Sequence, residues 1–180
     1  MWVFGYGSLM WDGWERNYKG RRVEGATLRG FHRSFNKAST TNWGTPVHRG
    51  PTLGLEPAPD DVVVGVAFEF PDEGKAAILG ELAAREGPSF SLEPLAVSLP
   101  ASSDAVAALV PVNDRRARTY IGHSPVSDRV KMALIARGTK GACSDYVRHV
   151  RAHLIELGIT DPFVEEFAAE LRRAVPGTSG

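Results

Sequence analysis

The chain has 180 residues, 43% of them hydrophobic, and 21 basic residues balance 21 acidic ones, which fits one soluble domain able to bury a core without staples. Neutral charge excludes nonspecific nucleic-acid binding, and no apolar run reaches the length of a bilayer span. A single cysteine, Cys143, and an N-terminus without a signal-like pattern predict a cytoplasmic protein whose partner is a small neutral or zwitterionic molecule, with neither nucleic acid nor membrane.

In chain order, Val3-Phe4 reads as a buried strand stub that runs into Gly5-Tyr6-Gly7-Ser8. Glycines at alternate positions remove the Cβ atoms that would block a ligand, so several backbone N–H groups can converge into an anion-binding nest. That is the chemistry of an oxyanion hole or a carboxylate cradle. The same spacing also suits a plain tight turn. A dinucleotide fingerprint fails because Met10 stands where the third glycine is needed, and no Gly-Lys-Ser/Thr follows to make a phosphate loop.

Residues 23–35, 53–55 and 62–70 are strand candidates, with a polar, Gly- and Pro-containing loop over residues 38–51. Asp72 is a candidate cap for a helix from about Glu73 to Arg85, with Ile78, Leu79, Leu82 and Ala83 on its apolar face. Strands return at residues 92–99 and 105–112. Ser127 is expected to cap a helix stopped by Gly138, and Ser144 one stopped by Gly158. Asp161-Pro162 offers a cap and a first-turn proline for a last helix carrying Phe163, Phe167 and Leu171. Strands mostly first and helices mostly last indicate an α+β domain over residues 1–174, with a frayed tail at 175–180.

Glu86 falls at the C-terminal end of the first long helix, where the macrodipole disfavours a carboxylate by about 0.3–1 kcal/mol. Beside Gly87-Pro88 and Phe90, such a carboxyl can have a raised pKa and shuttle a proton. Local sequence alone favours the plainer reading, a solvated glutamate paired with an arginine. His149 and His153 have helical i,i+4 spacing, but Val150 stands where a zinc-site glutamate would be needed, so no metal site is expected. Cys143 reads as a small buried thiol. The spacing of Trp2, Trp11, Trp14 and Trp43 does not separate core from pocket wall.

The blocks Val3-Phe4-Gly5-Tyr6-Gly7-Ser8-Leu9-Met10-Trp11, Leu28-Arg29-Gly30-Phe31-His32-Arg33-Ser34-Phe35, Gly44-Thr45-Pro46, Leu53-Gly54-Leu55, Gly65-Val66-Ala67-Phe68, Arg85-Glu86 and Gly141-Ala142-Cys143-Ser144-Asp145-Tyr146, followed by His153-Leu154 and Leu157-Gly158-Ile159, occur in this order. Together they resemble the ChaC-type branch of the γ-glutamylcyclotransferases across nearly the whole chain. The resemblance implies a small distorted β-barrel surrounded by helices. It also implies cleavage of γ-glutamyl compounds, glutathione above all, to 5-oxoproline and a free amine such as Cys-Gly, without metal or organic cofactor.

By that resemblance Val3, Phe4, Gly5, Tyr6, Gly7, Ser8 and Leu9 hold the γ-glutamyl group. Glu86 matches the catalytic glutamate, and Arg33, Tyr120 and Tyr146 match pocket positions. Two stretches depart from the family's wording. Phe90 stands near where a tyrosine commonly follows the glutamate, and the loop over residues 35–43 differs. A noncatalytic module that keeps the same pocket for a small metabolite is the alternative reading. The oligomeric state is not legible in the sequence.

Overall fold

The computed structural model describes residues 1–87 and 89–174, with Glu86 described by its backbone alone. Pro88 and the expected frayed tail at 175–180 lie outside the described residues. The chain divides into two compact units. The first comprises Met1–His32 and Pro57–Asp114, and the second Arg33–Glu56 and Arg115–Gly180.

In the first unit, five strands close into a barrel in the order β1-β3-β2-β4-β5. These are β1 (Trp2–Gly5), β2 (Arg21–Ser39), β3 (Gly50–Glu69), β4 (Phe90–Ser98) and β5 (Ala105–Asn113). β1 runs antiparallel to β3, with Val3 opposite Phe68, and parallel to β5, with Val3 opposite Leu109. β4 and β5 pair antiparallel along their whole length, from Phe90–Asn113 to Ser98–Ala105. Val3, Phe4, Leu28, Val63, Phe68, Val97 and Val110 fill the interior and are at most 1% exposed. The resemblance-based expectation of a small barrel with helices is met.

Two of the strands are far longer than their apolar runs. β3 runs unbroken from Gly50 to Glu69, where the sequence reads as two separate strands at 53–55 and 62–70. Pro57, Pro59, Asp60 and Asp61 interrupt the apolar pattern, yet proline is tolerated wherever a strand's N–H is not needed by the ladder. Trp14 lies in a 3-10 turn (Trp14–Tyr18) absent from the sequence reading, and packs edge-on against Phe68 with ring centroids 5.6 Å apart. That contact makes Trp14 a core residue.

The helix α1 (Lys75–Glu86) buries Ile78 and Leu82 completely. Its expected cap is displaced. Asp72 opens a short 3-10 turn (Asp72–Gly74), and Gly74 occupies the cap position without a side-chain hydrogen bond.

In the second unit, α2 (Val126–Ile135), α3 (Cys143–Glu156) and α4 (Pro162–Ala174) pack with the remaining parts of β2 and β3. Phe35 on β2 meets Phe167 on α4 with centroids 4.3 Å apart. The serines expected as caps sit inside the helices instead, since Pro125 and Ala142 hold the two cap positions. α2 ends at Ile135, before Gly138, and the chain then forms a two-residue ladder of β6 (Arg137–Gly138) with β7 (Gly141–Ala142). Asp161 caps α4 as expected, its Oδ1 accepting from the amides of Phe163 and Val164 at 3.1 Å each. Among the described residues no helix is long and apolar enough to cross a membrane.

Candidate active site

In the first unit, β1 delivers its last residue, Gly5, to the bend Tyr6-Gly7, and a 3-10 turn (Ser8–Met10) follows at once. Val3, Phe4 and Leu9 are buried in the core, so their side chains have no face to offer a ligand and only their backbone can serve it. Tyr6 is likewise committed, its buried hydroxyl donating to the carbonyl of Pro111 at 2.9 Å. Gly7 is half-buried and Ser8 is exposed. The leading amides of a 3-10 turn have no acceptor within the turn. The first internal bond is from the Met10 amide to the Gly7 carbonyl at 2.9 Å. The amides of Gly7, Ser8 and Leu9 precede that first bond.

The reason for the glycines is partly different from the expected one. A Cβ on Gly5 would lie 3.1 Å from both Leu9 Cβ and Phe68 Cε2. Gly5 is thus required by the close packing of the barrel wall against the turn.

Glu86 is the last residue of α1, and the helix stops there because Gly87 adopts φ 72° and ψ −179°. That combination is essentially restricted to glycine. The Gly87 amide still donates to the Ala83 carbonyl at 3.0 Å, and the Phe90 amide donates to the Gly87 carbonyl. The chain then enters β4. The carboxylate-bearing residue is placed at a helix C-terminus, as expected, while its side chain lies outside the described residues.

The neighbour of Glu86 ties the two motifs together. Arg85 donates to Asp12, which directly follows Trp11 and also accepts from the Trp14 amide. The end of α1 and the end of the Gly5–Met10 segment are therefore pinned by one ion pair.

The remaining predicted residues belong to the second unit and separate from one another. Arg33 is 1% exposed and its Nη1 donates to Asp161 Oδ2 at 2.8 Å, in a buried pair. The guanidinium is thus paired within the protein, and a pocket role for Arg33 stays an expectation of the resemblance. Tyr146 Oη accepts the Leu53 amide at 3.1 Å, and its ring packs on Trp43 at 5.1 Å. Tyr120, by contrast, joins a polar cluster that the sequence did not reveal. Its hydroxyl donates to Glu56 Oε1 at 2.6 Å, and Arg115 lies over its ring at 5.6 Å. Glu56 and Asn36 escaped notice because single polar residues inside long strands look like ordinary outward-facing positions. The one available signal was a carboxylate directly after the apolar run Leu53-Gly54-Leu55.

His149 is exposed, and His153 Nδ1 meets Glu156 at 2.9 Å. Among the described residues no group of three or more His, Cys, Asp or Glu could hold a metal ion. Cys143 is fully buried, its thiol donating to the Pro51 carbonyl at 3.3 Å, and burial pushes its pKa up to about 12. It is not a nucleophile at neutral pH.

Comparison with known proteins follows the same lines. The chain is 31% identical over 179 residues to γ-glutamylcyclotransferase 2-3 of Arabidopsis thaliana, covering 96% of this chain and 88% of that one. It is 27% identical to the glutathione-specific γ-glutamylcyclotransferase of Escherichia coli K12, covering 96% and 73%. The fold matches the crystal structure of a yeast γ-glutamyl cyclotransferase specific to glutathione with a TM-score of 0.84, at 21% identity and 96% coverage of each chain. The family model of ChaC-like proteins matches residues 1–174, and the chain belongs to that family.

Proposed function

We propose that the protein is a γ-glutamylcyclotransferase that cleaves glutathione to 5-oxoproline and Cys-Gly. The observation that carries this reading is the Arg85–Asp12 ion pair, which fixes the helix end bearing Glu86 to the segment that follows the Gly5–Met10 turn. A donor-rich turn and a nearby carboxylate-bearing residue suit an amide-cleaving reaction in which negative charge develops on oxygen while a proton moves between nitrogens. The glutathione-specific relatives support the choice of substrate.

In this reading the substrate supplies its own nucleophile. Its α-amine attacks the γ-carbonyl carbon, a five-membered lactam forms, and the old amide C–N bond breaks. Proximity is built into the substrate, so the protein's task is to fold it and manage the proton. An α-amine titrates near 7.7–8.0 and is mostly protonated at neutral pH. Glu86 takes the ammonium proton, frees the lone pair, and returns the proton to the departing nitrogen. Backbone amides of the turn at residues 6–9 stabilise the developing oxyanion. A lone buried thiol supports a reducing, cytoplasmic location.

The test is incubation of the purified protein with glutathione, following 5-oxoproline and Cys-Gly by mass spectrometry beside Glu86→Gln. The amide keeps the size of the carboxylate but cannot cycle the proton, so turnover falls about 10²–10⁴-fold with binding retained. Wild-type turnover in Glu86→Gln would remove Glu86 from the mechanism, and silence of the wild type on glutathione and on a γ-glutamyl peptide panel would remove the reaction itself.

A further inference from the structure

The surface cations of the second unit fall into two groups. Lys131, Arg148 and Arg173 each pair with a carboxylate on their own helix, and Arg151 pairs with Glu165 on α4. Arg49, Arg118, Arg137 and Lys140 are exposed as well, yet among the described residues none of these four is paired with a carboxylate. The sequence explains the difference, since residues 34–55, 115–127 and 129–144 contain no Asp or Glu.

Backbone hydrogen bonds bring these acid-free stretches together. The Thr139 amide donates to the Thr41 carbonyl and the Lys140 amide to the Asn42 carbonyl, both at 2.8 Å, which fixes the β6–β7 hairpin to the loop over residues 40–49. At the other end of that loop the Arg49 guanidinium donates to the Arg118 carbonyl at 3.2 Å. The four cations therefore flank one loop. Glu56, which directly follows the first stretch, is 14% exposed and already engaged by Tyr120, Asn36 and Arg115.

The loop is built to hold its shape. The Trp43 amide donates to Ser39 Oγ, the Thr45 amide to the His48 carbonyl, and the His48 amide back to Thr45 Oγ1. A Cβ on Gly44 would collide with the Gly50 amide nitrogen, so the two ends of the loop lie against each other. At its tip Val47 is 81% exposed. An apolar side chain held outward on a hydrogen-bonded turn gains nothing from the core and stays in water until a partner covers it.

We propose that this loop and its four flanking cations form a docking surface for an acidic polypeptide segment, with Val47 as the apolar contact and Arg49, Arg118, Arg137 and Lys140 meeting carboxylates. Guanidinium forks match carboxylates in bidentate geometry, and a patch of one sign selects a partner of the other. A single-stranded nucleic acid needs free aromatic faces for stacking, whereas the ring of Trp43 is packed on Tyr146 at 5.1 Å. A bilayer would meet Val47 as an isolated apolar side chain instead of the broad apolar face that interfacial binding uses. The inference stands apart from the cyclotransferase reading.

The test measures fluorescence anisotropy of a labelled Glu-rich peptide containing leucine, beside a Lys-rich peptide and a single-stranded RNA oligomer, with cosedimentation on phosphatidylserine vesicles. The Glu-rich peptide is expected to bind and the Lys-rich one not. Binding weakens with added salt as the screening length falls from about 30 Å at 0.01 M to about 10 Å at 0.1 M. Arg49→Glu with Arg118→Glu, and separately Arg137→Glu with Lys140→Glu, each lower the affinity by about tenfold or more. Val47→Ser lowers it by roughly three- to tenfold.

Thermal unfolding of every variant accompanies the titrations. Should the Arg49 and Arg118 pair unfold the loop, the Arg137 and Lys140 pair decides the matter. No binding of the Glu-rich peptide at low salt, wild-type affinity in the charge-reversed proteins, or tighter binding of RNA or vesicles than of the peptide would overturn the proposal. Glutathione turnover is a separate measurement, and its presence or absence leaves this surface untouched.

Discussion

At the residue scale, Arg33 and Asp161 carry the clearest energetic consequence. Removing one member of a buried, hydrogen-bonded ion pair strands the other charge, which costs about 3–5 kcal/mol. Asp161→Ala also removes the cap of α4, whereas Asp161→Asn keeps an oxygen for the Phe163 and Val164 amides. Denaturant unfolding is expected to rank wild type above Asp161→Asn above Asp161→Ala. A rise in KM for Arg33→Met without loss of stability would instead place Arg33 at the substrate.

The buried thiol of Cys143 supplies a pH signature. Its native pKa of about 12 lies above the ordinary value of 9.0, so above pH 9 the unfolded chain releases a proton that the native state keeps. Stability is therefore complete below pH 9 and falls between pH 9 and 12, with a limiting slope of about 1.4 kcal/mol per pH unit from this group. Unfolding free energies measured over that range should decline less steeply for Cys143→Ala than for wild type.

Sequence reasoning reached these residues unevenly. Asp161-Pro162 was legible because a cap and a first-turn proline are local devices. Arg33 was not, because its partner lies 128 positions away and nothing in the local strand pattern separates a buried arginine from an outward one. Glu56 was hidden for the same reason.

At the element scale, the stop of α1 is the feature most open to a decisive change. Nothing lies within 4 Å of a Cβ built on Gly87, so Gly87→Ala meets no steric neighbour and tests backbone conformation alone. With φ at 72° and ψ near 180°, alanine is strained by about 1–3 kcal/mol. The substitution should lower the unfolding midpoint and reduce kcat on glutathione, since relief of the strain moves the residue immediately before it, Glu86. An unchanged kcat at reduced stability would show that the helix end does not set the position of Glu86.

The elements themselves follow the apolar pattern where it is continuous, as in β4 and β5. They depart from it where tertiary pairing overrides the pattern. β3 persists through Pro57 and Pro59 and meets β1 only further on, at residues 66–69, and α2 and α3 begin at Val126 and Cys143 without the side-chain caps that Ser127 and Ser144 seemed to offer.

At the scale of the whole molecule, α+β organisation was readable from the order of strands and helices, but closure of the barrel was not. Closure depends on β1 pairing with β5 in parallel, a relation between segments about a hundred residues apart that no local periodicity encodes. The division of β2 and β3 between two compact units is equally invisible locally, since each strand continues through its boundary without a break in regular structure.

The parallel pairing of β1 also sets a sequence of events for a chain emerging from synthesis. β1 emerges before its partners: its antiparallel one, around residues 66–69, comes far later, and its parallel one at Ala108-Leu109 later still. Such distant contacts are slow to form because loop-closure entropy is lost before they are made. The Gly5–Ser8 turn hangs directly from that strand, so it is seated only after the barrel's last strand has been made, and no partly synthesised chain ending before residue 108 can assemble the closed barrel around it.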